Sequence, residues 1–536
     1  MRKTFFVQLL VVSLFSSFLA ACSNDGTTTN EETNNLPDET DMRFPETVEL
    51  DIPVYDRAFE GWNVSDNFYT RWIQEEFGDA HNININFVPI ARASEVTDFQ
   101  QLLAAGNAPD IIFHYDMPQA LSYYDNDVLQ PLDLEEIAKY APTYWENLSE
   151  TIEQYGVVED EHIFFFADRP DVNNFVSIIR KDWVEQVGMK VEDLTSLEKL
   201  NEMALKWKEA GLGTLGGGLT ADIYNYNYPF RDWPIDPEYR ALYSDLMVAD
   251  FTTKETELWL RNLNHQYHNG LIDQEFYLRA DGNQIKSEFV AGRTGTYGEY
   301  MSSNTDIFEA TVQNNPEAEF AVLPLYAGVP EGNVPQGRAN WPFGLIMGVN
   351  EAATEEERIA LWLYLEWMSQ PDHLFFLQNG VEGENYTLDA EGIPIINNDF
   401  DGESALAMNN NKDYWSLVTE APYFGSDELT RKAMKNFWSP PGYEYIVDDM
   451  FKYQDEGREF TTPDALFTVV IESQNRYQAD LNALFQELYL EVALGPEEAF
   501  DENYEAAKQR YLNAGYQKIL DEKQAAIEAG NFNYFE

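Results

Sequence analysis

The chain has 536 residues, of which 94 are acidic and 34 basic, for a formal net charge of −60. A surface that acidic repels phosphate backbones and anionic headgroups, which excludes nucleic acid as a partner and basic-patch docking on lipid. Hydrophobic residues make up 44% of the chain, and a single core rarely grows past ~250–300 residues, so two lobes are expected.

In chain order the first element is a leader. Arg2 and Lys3 are the only charges before an apolar run over 5–18, which closes on Leu19-Ala20-Ala21-Cys22. A charged start, a short apolar stretch and small residues make a secretion signal, a little short of the ~20 residues a bilayer crossing needs. The end of this run resembles the bacterial lipobox, in which the signal is cut before the cysteine and the thiol is acylated. Cys22 is the only cysteine, so lipidation rather than a disulfide is expected of it. Residues 1–22 read as signal peptide and lipobox, which places the mature chain on the outer face of the cell membrane. Residues 23–45 are mostly Thr, Asn, Glu and Asp without apolar periodicity and read as a disordered tether.

From Val48 the pattern becomes orderly. Strands are expected over 48–55, 83–88 and 111–113, with helices over 67–77 and 96–105 between them. That alternation predicts an α/β unit with a parallel sheet. A helix over 134–140 and strands over 163–166 and 176–180 follow. Ser196 is positioned to cap a helix running to Ala210. Residues 211–233 are rich in glycine and tyrosine. Further expectations are a helix over 256–267, strands over 292–300, 320–323 and 345–349, and an amphipathic helix over 355–369. Long helices over 467–490 and 503–529 end the chain.

Several fragments together resemble the extracellular solute-binding proteins of bacterial ABC importers, in particular the large lipoprotein branch that binds oligosaccharides. Leu102-Leu103-Ala104-Ala105-Gly106-Asn107-Ala108-Pro109-Asp110-Ile111-Ile112 is similar to that family's helix–Gly–Pro-Asp–strand signature. Ile179-Arg180-Lys181-Asp182-Trp183 with Gly188, Phe289-Val290-Ala291-Gly292-Arg293-Thr294-Gly295, and Val381 to Thr387 followed by Gly392-Ile393-Pro394 resemble further signatures. The resemblance implies a two-lobed periplasmic-binding-protein-like α/β fold with hinge-crossing strands and a ligand cleft. It assigns residues 46–166 and 344–400 to lobe 1, and 167–343 and 401–536 to lobe 2. Crossings are implied near 164–170, 339–343 and 400. An oligosaccharide ligand, ABC permease subunits as partners and a monomeric state follow from the same resemblance. No catalysis, cofactor or metal is expected.

Sugar rings stack their C–H faces on aromatic rings while carboxylates and amides bind hydroxyls. Tyr224, Tyr226 and Tyr228 alternate with asparagines and are candidates on that ground; packing of a Tyr-rich surface loop is the competing reading. Glu299 and Tyr300 sit where the resemblance implies a loop with stacking aromatics. His114 and Asp116 follow the strand over 111–113, and strand C-terminal ends face the crevice in such sheets. Trp341 lies in the implied second crossing, and Trp438 in a loop before Pro440-Pro441; core burial is the default for a lone Trp. Trp362 and Trp367 are read as core. Gly211-x-Gly213-x-x-Gly216 follows a helix rather than a strand and reads as a turn. Asn397-x-Asp399-x-Asp401-Gly402 half-resembles a calcium loop but has Met408 where a bidentate Glu belongs. His265 and His268 read as a solvated or packed pair. Two alternatives stay open: a secreted carbohydrate-active hydrolase, and the same binding fold with a peptide or polyamine ligand.

Overall fold

Val48–Asp56 (β1) and Ile83–Ala91 (β2) pair in parallel along their full length, Val48 opposite Ile83 and Asp56 opposite Ala91. The computed structural model describes residues 35–170, 175–216, 230–231, 241–243, 248–279, 282–301, 306–335, 337–338, 341–397, 399–422, 424–439, 442–462 and 465–534. The leader, Cys22 and most of the tether lie outside them. Helix α1 (Phe68–Ile73) connects the two strands. Asn67 caps it by accepting from the Tyr69 and Thr70 N–H groups, which satisfies donors that a helix start leaves unpaired. The helical path continues through a wider turn, Gln74–Gly78, to His81. Helix α2 (Glu95–Ala105) ends on Gly106 at φ 69°, a left-handed C-terminal position that glycine adopts without steric cost.

Ile111–His114 (β3) is buried at every position. Its start is tied to β1: Asp51 N–H donates to the Asp110 carboxylate at 2.8 Å, and Asp110 N–H donates to the Asp51 carbonyl at 2.9 Å. Its ladder, however, is antiparallel to a much later strand. The parallel pairing expected of all three strands is therefore confined to β1 and β2. An apolar strand buried on both faces carries no mark of its neighbour's direction.

Phe165–Asp168 (β4) leads out to a second body. Phe175–Arg180 (β5) is its central strand, flanked in antiparallel by Thr296–Tyr300 (β6) and Phe320–Val322 (β7). Helix α3 (Leu197–Ala210) begins at Ser196, which accepts from Lys199 N–H, and ends at Gly211. The chain returns in Phe343–Asn350 (β8), where Ile346 faces His114 on one side and Phe166 on the other. Helix α4 (Glu355–Met368) follows, started by a reciprocal cap between Thr354 and Glu357. Its residues Ile359–Leu365, Trp367 and Met368 are all buried. It is thus enclosed against β1 and the helices Leu134–Tyr140 and Pro142–Tyr155 rather than amphipathic.

Three backbone segments meet between the bodies. Asp168 N–H donates to the Val418 carbonyl at 3.0 Å, Glu420 N–H to the Asp168 carbonyl at 2.7 Å, and Arg169 N–H to the Pro342 carbonyl at 3.3 Å. Val418–Glu420 is the third segment at this junction. The residues before it stay with the first body: Tyr69 Oη donates to the Ser404 carbonyl, and Tyr414 Oη to the Val64 carbonyl. Tyr414 belongs to the short helix α5 (Lys412–Trp415).

Helix α6 (Asp427–Trp438) packs on Pro394–Ile396 and on helix α7 (Glu444–Gly457), which in turn packs on β7. Ile446, Val447 and Met450 join Val176, Ile178, Phe289, Phe308 and Phe320 in a cluster of their own; the larger cluster runs from β1–β3 into the second body, where it takes in Ile179, Trp183, Trp207, Leu260 and Phe485. Trp438 closes α6 instead of lying in a loop. At the C-terminus α8 (Glu472–Leu494) starts later than expected, because Ala465–Phe467 is a strand paired with Phe532–Tyr534. The final helical run is broken into α9 (Phe500–Tyr511) and α10 (Gln517–Glu528) at Gly515, φ 137°. No helix among the described residues is long and apolar enough to cross a membrane.

Candidate functional site

The C-terminal ends of β1, β2 and β3 converge beside the Val418–Glu420 segment, and charged side chains gather there. Tyr55 lies in β1 and Arg57 just after it; Arg92 follows β2; His114 closes β3, with Tyr115 and Asp116 next. Arg57 Nε lies 2.9 Å from both Asp413 oxygens, and Nη2 is 2.9 Å from Oδ1. Arg92 Nη1 donates to Glu95 Oε2 at 3.0 Å. Both guanidinium groups lie over Tyr55, at 5.5 and 5.0 Å from its centroid, and Arg92 is also 5.4 Å from that of Tyr115. The two tyrosine rings are nearly parallel, 12° apart with centroids at 6.3 Å. Tyr55 is buried and Tyr115 half-buried. Lys412 pairs with Glu420 Oε2 at 2.6 Å.

Burial sets the protonation states below this layer. Desolvation pushes the Glu95 carboxyl up to about 7, against the opposing pull of Arg92. His114 is pushed down to about 3, by burial first and then by Arg92. A neutral imidazole is consistent with its bonds: Nδ1 accepts from Asp116 N–H at 2.9 Å, which leaves the proton on Nε2, 3.9 Å from Glu95 Oε1. The Tyr115 phenol is raised by burial and then by the charge of Glu420, which reaches it from the hinge. The arrangement offers directed N–H donors, aromatic faces and oriented carboxylates, the equipment for holding a polar ligand with apolar patches.

Of the residues expected at a ligand site, the structure brings His114 and Asp116 to this edge. Both are buried, and Tyr115 between them is only half-buried. Tyr224, Tyr226 and Tyr228 lie outside the described residues. Glu299 and Tyr300 form the end of β6, opposite Val176 and Phe175. Trp341 is 7% exposed, stacked on Phe343 at 5.6 Å and edge-on to Tyr155 at 5.9 Å, so its indole packs the core beside the hinge. Trp362 and Trp367 are buried as expected. His265 contacts Glu497 at 3.0 Å and His268 the Gly495 carbonyl at 2.7 Å. The Asn397 carboxamide donates to the Glu384 carbonyl. Gly213 and Gly216 pass so close to the Arg293 and Thr296 carbonyls that an added Cβ would lie 2.2 and 2.4 Å from them; the glycine motif is a tight backbone crossing.

Sequence reasoning missed Arg57, Arg92, Asp413 and Glu420. Arg92 and Glu95, three residues apart across a helix start, were the one pair with a local signal.

Comparison with solved structures defines the class. The alginate-binding protein AlgQ2, in its form without calcium ion, superposes with a TM-score of 0.61 at 14% identity, covering 90% of this chain and 98% of that one. A solute-binding protein from Bifidobacterium longum infantis, described as HMO-binding and ABC-transporter-associated, gives 0.59 at 11% identity, with 90% and 99% covered. An S. pneumoniae ABC-transporter substrate-binding protein, FusA, solved as an EF-hand mutant in complex with fructo-nystose, gives 0.59 at 15% identity, with the same coverage. The fold is that of two-lobed solute-binding proteins. Residues 72–374 match the bacterial extracellular solute-binding protein family, and the chain belongs to it. Lipoprotein LipO of Bacillus subtilis is 23% identical over 321 residues; the match takes in 55% of this chain and 61% of that relative's length.

Proposed function

We propose that this protein is the membrane-anchored binding component of an ABC importer, which captures an oligosaccharide between its lobes and delivers it unaltered to permease subunits. The observation that carries the reading is the convergence of Arg57, Arg92 and half-buried Tyr115 at the carboxyl ends of β1–β3, beside the hinge segments. Ligands of open α/β sheets dock at such strand ends. Lobe 1 would run to about Val418, and lobe 2 would supply the opposing wall through Glu299, Tyr300, Trp438 and the tyrosines at 224, 226 and 228. The sugar-binding and lipoprotein descriptions of the relatives support the ligand class and an anchor at Cys22. The protein would act as a monomer on the outer face of the cell membrane.

Calorimetric titration of the secreted domain with a series of oligosaccharides, peptides and polyamines tests the reading. Saturable binding of a saccharide supports it; binding of peptide or polyamine alone overturns the ligand class. Release of reducing ends from polysaccharide by the purified protein would establish the hydrolase instead.

A further inference from the structure

Three ion pairs at the strand ends share one orientation: the cation faces outward and the acid lies beneath. The side chains of Arg57 and Asp413 are 29% and 10% exposed, those of Arg92 and Glu95 38% and 3%, and those of Lys412 and Glu420 31% and 10%. The deeply placed arginines of the second body differ, Arg180 and Arg279 being 0% and 1% exposed. The chain as a whole carries a net charge of −60, yet the outer layer here is cationic. The buried carboxylates fix the guanidinium planes, and the Tyr55 and Tyr115 rings hold them from the side. A guanidinium held in this way presents its N–H groups in a fixed geometry, which suits an anion with paired acceptor oxygens better than a single hydroxyl.

We propose that the captured saccharide is acidic, with a carboxylate or sulfate ester seated on Arg57 and Arg92 and a sugar ring against Tyr115. This rests on the carbohydrate reading above and specifies the ligand's charge. A peptide with an acidic side chain offers the same anion without a pyranose face for Tyr115, and a polyamine offers only donors to a layer of donors.

The test is calorimetric titration of the secreted domain with galacturonate and alginate oligosaccharides, the same oligosaccharides as methyl esters, sulfated oligosaccharides, and neutral malto- and fructo-oligosaccharides. Acid and ester share size and linkage and differ in charge. The expected result is at least tenfold tighter binding of an acid than of its ester, or of a sulfated chain than of its unsulfated parent; which of the two is seen names the anion. Arg92→Gln should shrink that ratio severalfold. The wild-type comparison needs no variant, so a misfolded Arg92→Gln protein leaves it intact. Equal affinity for acid and ester, or tighter binding of a neutral chain than of every acidic one, overturns the charge assignment and leaves the carbohydrate reading standing. Binding of no saccharide at all overturns the carbohydrate reading and this inference with it.

Discussion

Glu95 shows how one buried side chain makes the site pH-sensitive. Its folded-state carboxyl titrates at about 7 against an ordinary 4.5. Between those values the folded protein holds a proton that the unfolded chain has released, so this group's contribution to stability falls as pH rises from about 4.5 through 7. His114, lowered to about 3, acts in the opposite sense: its contribution rises with pH from about 3 to 6.5. Glu95→Gln removes only the first effect, which amounts to about 3 kcal/mol at most. The stability of the variant relative to wild type should therefore increase across pH 4.5–7 in urea unfolding; a pH-independent difference contradicts the assignment. A second test at this scale concerns Gly344. A Cβ there would sit 1.8 Å from Glu420 Cγ, so Gly344→Ala must displace the hinge carboxylate, at a cost of about 1–3 kcal/mol. Adding Glu420→Ala should recover part of that loss in a double-mutant cycle, and simple additivity would show that the contact is not the cause. Residue-scale legibility was partial for a physical reason. The strand ending at His114 pointed to this edge, but Arg57 and Asp413 pair across 356 positions, and no local spacing marks such a pair.

Elements bounded by local chemistry were readable. The Ser196 cap and the helix ends at Ala105 and Ala210, each followed by a glycine, correspond to observed boundaries. Elements whose character depends on neighbours were not. Helix α4 has acidic residues only in its first turn and at Glu366, and it is enclosed on nearly all sides. Trp362 is fully buried, its indole N–H donating to Glu136 Oε1 at 2.9 Å, while Arg358 Nε and Nη2 reach the same carboxylate at 2.7 and 2.9 Å. Trp362→Ala should cost about 3–5 kcal/mol through the cavity it leaves. A loss below ~1 kcal/mol by chemical denaturation would mean that the site collapses around the change. The final helix was read as continuous because Gly515 is a single residue in a helical pattern. Its φ of 137° and the Tyr477 ring, 2.6 Å from where a Cβ would stand, explain the break.

At the scale of the whole molecule, the fold shared with two-lobed solute-binding proteins makes hinge motion the expected response to a ligand. The two-lobed fold was legible because strands and glycine stops follow an order the family shares. Ser404 and Tyr414 fold back on the first body through side-chain hydrogen bonds with residues far away in sequence, Tyr69 donating to the Ser404 carbonyl and Asn67 to Tyr414 Oη among them, and no local spacing marks such bonds. Anchoring is tested independently: palmitate should label the expressed wild-type chain but not Cys22→Ser, and equal labelling of both would remove the anchor. The central claim is capture between lobes. Small-angle scattering of the secreted domain, free and saturated with the saccharide that calorimetry identifies, tests it most directly. A smaller radius of gyration in the saturated protein is the predicted result, and an unchanged radius at full occupancy would contradict it.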